Sequence, residues 1–416
     1  MKTYLSSFII LFIAFSANAQ SPDSSSRNYL NIYLDGAYGF EEYIKTEIPF
    51  VNYVRDRFQA QVHLLVATQQ TGSGGSDYSI FFLGQNEFKD RNDTLHYIAN
   101  INNTDDETRI GLVQILKMGL MPYVAKVSST IPIKISYDGV TTDTEKEVVD
   151  KWNHWVFSIS SYANAYLTST FTSYSVSGGL SADKITEDWK LSFSSNANYN
   201  TNVFDLGNNE TYESYNNSTY TSAVIVKSLN DHWSFGGAAS QSTSTYSNYD
   251  LRLSISPAIE YDLFPYSEST TKLLTFLFTA GPEYSNYTDT TIYEKTEEFL
   301  FKNSFQVSLD LTQKWGTISL GLSESNYIPD FDKNSIGCFT SLNWRIVEGL
   351  SLNGYFSLNF IKDQLNLPKG DLSQEEILLQ ITEQQTSFTF STYFGISYTF
   401  GSIYNNIVNP RFYGYY

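Results

Sequence analysis

The stretch TSFTFSTYFGISYTF, residues 386–400, places Phe388, Phe390, Phe394, Ile396, Tyr398 and Phe400 on even positions. Ser387, Thr389, Ser391, Tyr393, Gly395, Ser397 and Thr399 fall on odd ones. Side chains alternate across a β-strand with period two, so one face of this segment is aromatic and aliphatic and the other small and hydroxylated. A soluble sandwich produces the same alternation. Length separates the two: about 9–11 residues cross a bilayer as a tilted strand, this run exceeds that, and many segments like it precede it.

The pattern recurs upstream. Leu251, Leu253, Ile255, Ile259, Tyr261 and Leu263 alternate with Arg252, Ser254, Ser256, Glu260 and Asp262. Phe305, Val307, Leu309 and Leu311 oppose Ser304, Gln306, Ser308 and Asp310, and Leu352, Phe356, Leu358 and Phe360 oppose Ser351, Asn353, Ser357 and Asn359. About twelve such segments are expected, beginning near residues 154, 171, 189, 214, 232, 249, 271, 299, 316, 335, 350 and 386, and an even number brings both ends of a barrel back to the periplasm. Connections at DKITED, SLNDH, KWG and VEG are short, whereas those around 206–213, 286–298, 326–334 and 362–385 are longer, as periplasmic turns and extracellular loops would be. The expected topology also gathers Trp152, Trp155, Trp189, Trp233, Trp315 and Trp344 at the periplasmic rim, where an apolar ring with one N–H donor suits a membrane interface. Lumen-facing charges are expected at Lys190, Arg252, Glu260, Asp262, Asp310 and Arg345, all near the inner mouth except Arg252.

Composition agrees with this reading: 16% of the 416 residues are aromatic, with 32 Tyr and 29 Phe, and only 17% are charged. The start, MKTYLSSFIILFIAFSANAQ, has Lys2, an apolar run from Phe8 to Phe15 and the small residues Ala17 and Ala19, the layout of a signal peptide spanning residues 1–19. Cys338 stands alone, which excludes a disulfide framework. No later stretch reaches the roughly 18 apolar residues of a transmembrane helix. The net charge of −18, concentrated in the second part, disfavours nucleic acid, whose phosphates need a basic surface. In the outer loops, Asp289, Glu294, Glu297, Glu298, Asp371, Glu375 and Glu376 would favour cations at an open mouth.

Residues 28–127 follow a different pattern, that of a small α+β periplasmic domain. NYLNIYLD reads as a strand, and GFEEYIKTEIPFVNYVRDR as a helix with Ile44, Ile48, Val51 and Val54 on one face, kinked or restarted at Pro49. QVHLLVAT, YSIFFLG and HYIANI read as three strands. A closing helix opens on the capping box Thr104 to Glu107, buries Leu112, Ile115 and Leu116, and is expected to end at Gly119. The loop TGSGGSD lies between strands and lacks the Lys-Ser/Thr of a phosphate loop, so it reads as a hairpin turn. Arg55 and Arg57 either receive an anionic partner or end the helix favourably against its dipole, and the second is the plainer expectation.

The phrases GLSLNGYFSLNFIKDQLNLPKGDLSQEEILLQ, GISYTFGSIYNNIVNPRF and EYIKTEIPFVNYVRDRFQAQVHLLVATQQTGSGG resemble a family of uncharacterised Bacteroidetes outer-membrane β-barrel proteins with an N-terminal periplasmic domain. The resemblance implies location and two-part architecture; the alternation itself sets the expected barrel at 131–402, leaving 403–416 as a periplasmic tail. It implies no substrate and no functional residue.

The functional expectation is a narrow channel or transport barrel, or a structural one, with a periplasmic accessory domain. Alternatives are an outer-membrane hydrolase and a protein assembly or secretion barrel. Hydrolases of this kind usually rely on a His base, and only His63, His96, His154 and His232 exist, none in an expected outer loop. No catalytic, cofactor or metal residues are assigned. Expected partners are outer-membrane lipid, the barrel-assembly machinery during insertion, and a periplasmic partner of residues 28–127.

Overall fold

The computed structural model describes residues 29–72, 74–127, 150–207, 210–370, 382–404, 406, 408 and 411. The expected signal peptide, the segment 128–149 and the acidic residues Asp371, Glu375 and Glu376 lie outside the described residues.

The first unit is a five-stranded mixed sheet with two helices. Its elements are β1 (Asn31–Asp35), α1 (Glu41–Glu47), β2 (Asn52–Tyr53), β3 (Val62–Gln70), β4 (Ser76–Gly84), β5 (Asn92–Ala99) and α2 (Asp105–Val127), with strand order β2-β1-β3-β4-β5. β1 runs parallel to both its neighbours, and the remaining pairs are antiparallel. Alternation divides the sheet cleanly. Ile32, Val62, Leu64, Val66, Ile80 and Phe82 join Ile44, Leu112, Leu116 and Leu120 in one core, while Tyr33, Asp35 and His63 have the opposite parity and so lie on the helix-free face.

Two helix boundaries differ from expectation. The first helix ends at Glu47, before Pro49, and the chain then extends into β2 instead of restarting. The Tyr53 hydroxyl lies within donating distance of the carbonyls of Ile44 (3.1 Å), which also accepts the Ile48 N–H (2.9 Å), and of Ile48 (3.2 Å), and so ties β2 to the helix end. Ile44, Ile48, Val51 and Val54 are all buried even so: the first three join the core of the first unit, whereas Val54, one residue past the core-facing Tyr53, is buried outside that cluster, beside Tyr404. The second helix opens on its capping box, with the Thr104 N–H donating to Glu107 (2.8 Å) and the Glu107 N–H to Thr104 Oγ1 (3.2 Å). It then runs through Gly119 to Val127. Gly119 is not a cap: a Cβ there would sit 2.1 Å from the Phe82 ring, so glycine serves close helix–sheet packing. At 23 residues α2 is long and apolar enough to cross a membrane, but Leu112, Leu116, Leu120, Tyr123 and Val124 are buried in the core of the first unit.

The second unit is one antiparallel sheet of twelve strands, each paired with the next in sequence. They are β6 (Trp155–Leu167), β7 (Phe171–Ile185), β8 (Trp189–Gly207), β9 (Glu210–Ser228), β10 (Trp233–Ser244), β11 (Tyr249–Asp262), β12 (Lys272–Tyr287), β13 (Glu297–Gln313), β14 (Gly316–Ile328), β15 (Asn334–Val347), β16 (Leu350–Ile361) and β17 (Phe388–Tyr398). β6 and β17 are the two edges and do not pair with each other. The register keeps like faces together: Ser240 pairs with Ser254 and Ser319 with Ser341, while Phe235 pairs with Ile259 and Ile336 with Phe360. The apolar face is the exposed one. Ile255 is 59% exposed and Phe394 67%, whereas Ser254 and Ser256 are half-buried.

All six Trp residues fall at one rim, at or beside the starts of β6, β8, β10 and β14 and the end of β15. Loop lengths follow expectation only in part. Connections at the Trp rim are short except 263–271, and at the far rim 288–296 and 362–387 are long. The loops expected at 206–213 and 326–334 are much reduced. β8 and β9 continue as a paired ribbon to Gly207 and Glu210, since their Tyr, Thr and Asn residues keep pairing beyond the length a bilayer needs, and β14 and β15 leave only 329–333 between them.

Candidate functional site

Both ends of the sheet's polar face are covered by other parts of the chain. At the Trp rim, the helix-free face of the first sheet lies against the β15–β16 turn. Arg345 follows Trp344 and reaches Asp35 with both arms, Nη1 to Oδ2 at 2.5 Å and Nη2 to Oδ1 at 2.6 Å, while the His63 Nε2 lies 3.1 Å from the same Oδ2. A planar fork meeting a carboxylate in two places fixes orientation as well as attraction. The Gly349 N–H donates to Asp56 Oδ2, and the Gln59 amide donates to Glu348. At the β11–β12 connection on the same rim, Gln69 Nε2 reaches Ser269 Oγ at 3.5 Å.

The C-terminal segment adds a strap to this seam. Val54 and Tyr404 form an antiparallel bridge, the Arg55 N–H donates to the Ile403 carbonyl (2.9 Å), and the Tyr53 N–H donates to Asn406 Oδ1 (2.6 Å). These contacts cover the outer edge of β2, which would otherwise present unpaired backbone groups.

Burial and hydrogen bonding compete over the protonation states at the seam. Burial would by itself raise the Asp35 carboxyl, but hydrogen bonds from His63 and Arg345 outweigh it and hold Asp35 at about 2, against an ordinary 3.8. His63 is fully buried, and this lowers its pKa below the ordinary 6.5 despite the bond to Asp35. Its Nδ1 has no hydrogen-bond partner among the described residues, so a second proton there would be a buried donor without an acceptor. The ring is neutral, with Nε2–H donating to Asp35.

At the far rim, the β16–β17 connection folds back onto two distant loops. Asn248 Nδ2 donates to the carbonyls of Asn366 (2.8 Å) and Asp289 (2.9 Å), and Asn366 Nδ2 donates to the Ser247 carbonyl (3.0 Å). The Ile292 N–H donates to Leu367 (2.9 Å), the Lys369 N–H to Thr290 (2.7 Å) and the Glu383 N–H to Tyr246 (3.0 Å). β11 and β16 are five strand spacings apart, about 24 Å along the sheet at ~4.8 Å each, so these bonds cross the polar face of a curled sheet. Beneath them Glu283 accepts from Arg252 (2.7 Å) and Tyr327 (3.2 Å), and Lys302 pairs with Asp363 (3.6 Å). Among the described residues, the buried side chains of the second unit other than Asp262 all lie toward this end.

The six expected lumen residues share the polar face but do not form one cluster. Lys190 and Glu260 are close enough to interact electrostatically near the Trp rim, Asp262 is buried there, and Asp310 is exposed opposite Ser319. Arg252 belongs to the far-rim network and Arg345 to the seam. Trp155, Trp189, Trp233 and Trp344 share one rim with Trp315, whose carbonyl accepts from the Arg345 N–H (2.7 Å). Asp35, His63, Glu283, Tyr327 and Asp363 escaped sequence reasoning. A signal existed for two of them: His63 interrupts an apolar run, and Glu283 occupies a polar-face position of β12.

Three of the four described acidic outer-loop residues have side-chain partners, and Asp289 is held through its backbone N–H and carbonyl by Asn248. Glu294 pairs with Lys369 (2.6 Å), Glu297 accepts from Tyr284 (2.7 Å) and Glu298 accepts from Tyr287 (2.5 Å). Arg55 and Arg57 do not end a helix, because the helix stops eight residues earlier than Arg55, at Glu47. They lie in the seam.

Among the described residues Ser79, His96 and Asp77 form a Ser–His–Asp group, but Ser79 and Asp77 both approach the same nitrogen, His96 Nδ1, at 3.3 Å. A relay needs the hydroxyl on one ring nitrogen and the carboxylate on the other, so this group is not arranged to activate the serine.

No family model matches the chain, and no curated protein matches it. Among solved structures it is similar to a NanC porin, at 10% identity over 59% of this chain and 99% of that one, with a TM-score of 0.27. It is equally similar to a bacterial polysaccharide outer membrane secretin, at 10% identity over 59% of this chain and 91% of that one, also with a TM-score of 0.27.

Proposed function

We propose that the chain is an outer-membrane β-barrel forming a narrow, gated passage for small polar solutes, with residues 29–127 as a periplasmic domain at its inner mouth. The observation that carries this is the inverted exposure of the twelve-stranded sheet. Large apolar side chains such as Ile255, Ile259, Phe278 and Phe305 stand exposed on one face while hydroxyl and amide groups line the other. In water such a band would associate or aggregate; in a bilayer it meets hydrocarbon.

A sheet in lipid cannot keep two free edges, so β6 and β17 pair to close the barrel. They run in opposite directions, and the polar-face positions are Ser158, Ser160 and Tyr162 on β6 and Thr389, Ser391, Tyr393, Gly395 and Ser397 on β17. In a Cys338→Ser background, cysteine at Ser160 is expected to form a disulfide with cysteine at one of those five β17 positions, seen as altered mobility on non-reducing gels. Failure of all five pairs rejects closure.

The passage is covered at rest by the first unit at the Trp rim and by Leu365–Lys369 at the far rim. Purified protein in planar bilayers is expected to conduct weakly. The double variant Asn248→Ala, Asn366→Ala, which removes the side chains pinning the crossing segment, is expected to raise conductance several-fold and to show a mild cation preference that fades as salt shortens the Debye length from about 10 Å at 0.1 M. No conductance in either protein would favour a purely structural barrel.

A further inference from the structure

Three guanidinium groups, those of Arg55, Arg57 and Arg345, line a cavity of about 190 Å³ between the first unit and the Trp rim. Tyr33, Asp56, Phe58, Gly349 and Thr399 complete its walls. Among the described residues, Arg345 alone of the three arginines forms an ion pair with a carboxylate. Asp56 lies between the other two arginines in sequence, but its Oδ1 accepts from the Phe58 N–H (2.9 Å) and its Oδ2 from the Gly349 N–H. Arg55 makes one long bond to the Gly401 carbonyl (3.4 Å). Arg57 stacks over the Phe58 ring at 4.3 Å, and its Nε is buried without a hydrogen-bond partner among the described residues.

A half-buried guanidinium without an acceptor is costly, and like charges beside it make it more so. Burial, and then the neighbouring charge of Arg345, pull Arg57 below its usual pKa. In a chain of net charge −18 this pocket carries positive charge in excess of the carboxylates facing it. Its volume is below the ~300–1,000 Å³ of sites for drug-sized molecules, which limits the occupant to something small. Guanidinium forks match the oxygen geometry of phosphoryl and carboxylate groups.

We propose that this seam cavity binds a small oxyanion, a phosphoryl or carboxylate group, held by Arg57 and Arg55 beside the Arg345–Asp35 pair. The bound group joins the first unit to the barrel rim, since Arg55 and Arg57 belong to one and Arg345 to the other. Because the seam exists whether or not the polar face conducts, binding and conduction stand or fall separately.

The test is calorimetric titration of the full-length protein in detergent at low salt. Inorganic phosphate, acetate and a short-chain phosphatidate are titrated separately, the last distinguishing a lipid headgroup from a free anion. Saturable binding of at least one probe is expected, weakened about tenfold or more by Arg57→Gln and by Arg55→Gln, as loss of one charge-assisted bond implies. Lys333→Gln at the far rim, which removes a cation outside the cavity, should leave affinity unchanged. Retention of the heat-dependent gel mobility of a folded barrel shows that each variant is intact. Absence of saturable binding by all three probes, a smaller loss in either arginine variant, or an equal loss in Lys333→Gln overturns the proposal.

Discussion

Ile255→Arg is expected to cost about 2–4 kcal/mol of stability when the protein is folded into lipid vesicles. Ile255 lies at the middle of β11 with its side chain on the apolar face, 59% exposed. In a soluble protein, replacing so exposed a side chain would change stability by no more than about 0.5 kcal/mol, because the arginine would remain hydrated. At the midplane of a bilayer the guanidinium must shed water or distort the lipid, and this produces the large figure. Denaturant titration of folding in vesicles measures the difference. A change within the soluble range would mean that the apolar band faces something other than hydrocarbon.

Arg345→Ala is expected to weaken the seam by about 3 kcal/mol, near the lower end of the range for stranding one member of a buried ion pair. Asp35 would keep its His63 bond but lose both guanidinium bonds, with its side chain only 8% exposed. Arg345→Lys should not restore the loss, since an ammonium cannot occupy both carboxylate oxygens in one plane. The seam should also respond to acid with a definite sign. Asp35 is held below its ordinary 3.8, so its contribution is complete above that value and disappears as pH falls toward about 2. His63 is held below its ordinary 6.5, so acidification protonates the unfolded state first and also destabilises the folded one. Thermal unfolding of the first unit, followed by near-ultraviolet circular dichroism, should therefore show a midpoint that falls below pH 6.5. A rising midpoint would contradict the assignment.

The strands of the second unit were legible because period-two alternation is a local property of each segment. Every expected start lies within four residues of the observed one, the largest error being at β9, where 214 was expected and Glu210 is found. The Trp rim was legible for the same reason, as strand ends follow from strand positions. The second half of the first helix was misread because Ile44, Ile48, Val51 and Val54 have helical spacing, yet parallel pairing of Asn52 and Tyr53 with β1 competes for the same backbone and wins after Pro49. Gly119 was misread because a glycine that ends a helix and one that admits an aromatic ring look alike in sequence. The pairing across the seam could not be read, although Arg345, Arg55 and Arg57 could be singled out: Asp35 and Arg345 are 310 positions apart, and only the packing of the first unit against the second brings them together.

The strap at Ile403 to Asn406 gives the architecture a direction in time. The first unit is synthesised before any strand of the second, yet the outer edge of β2 stays bare until residues that follow all twelve strands reach it. Those residues are held beside the rim by β17, which is also one of the two edges of the twelve-stranded sheet. Covering of the β2 edge thus depends on β17 being in place, and a chain in which β17 is not seated keeps an unpaired strand edge on display.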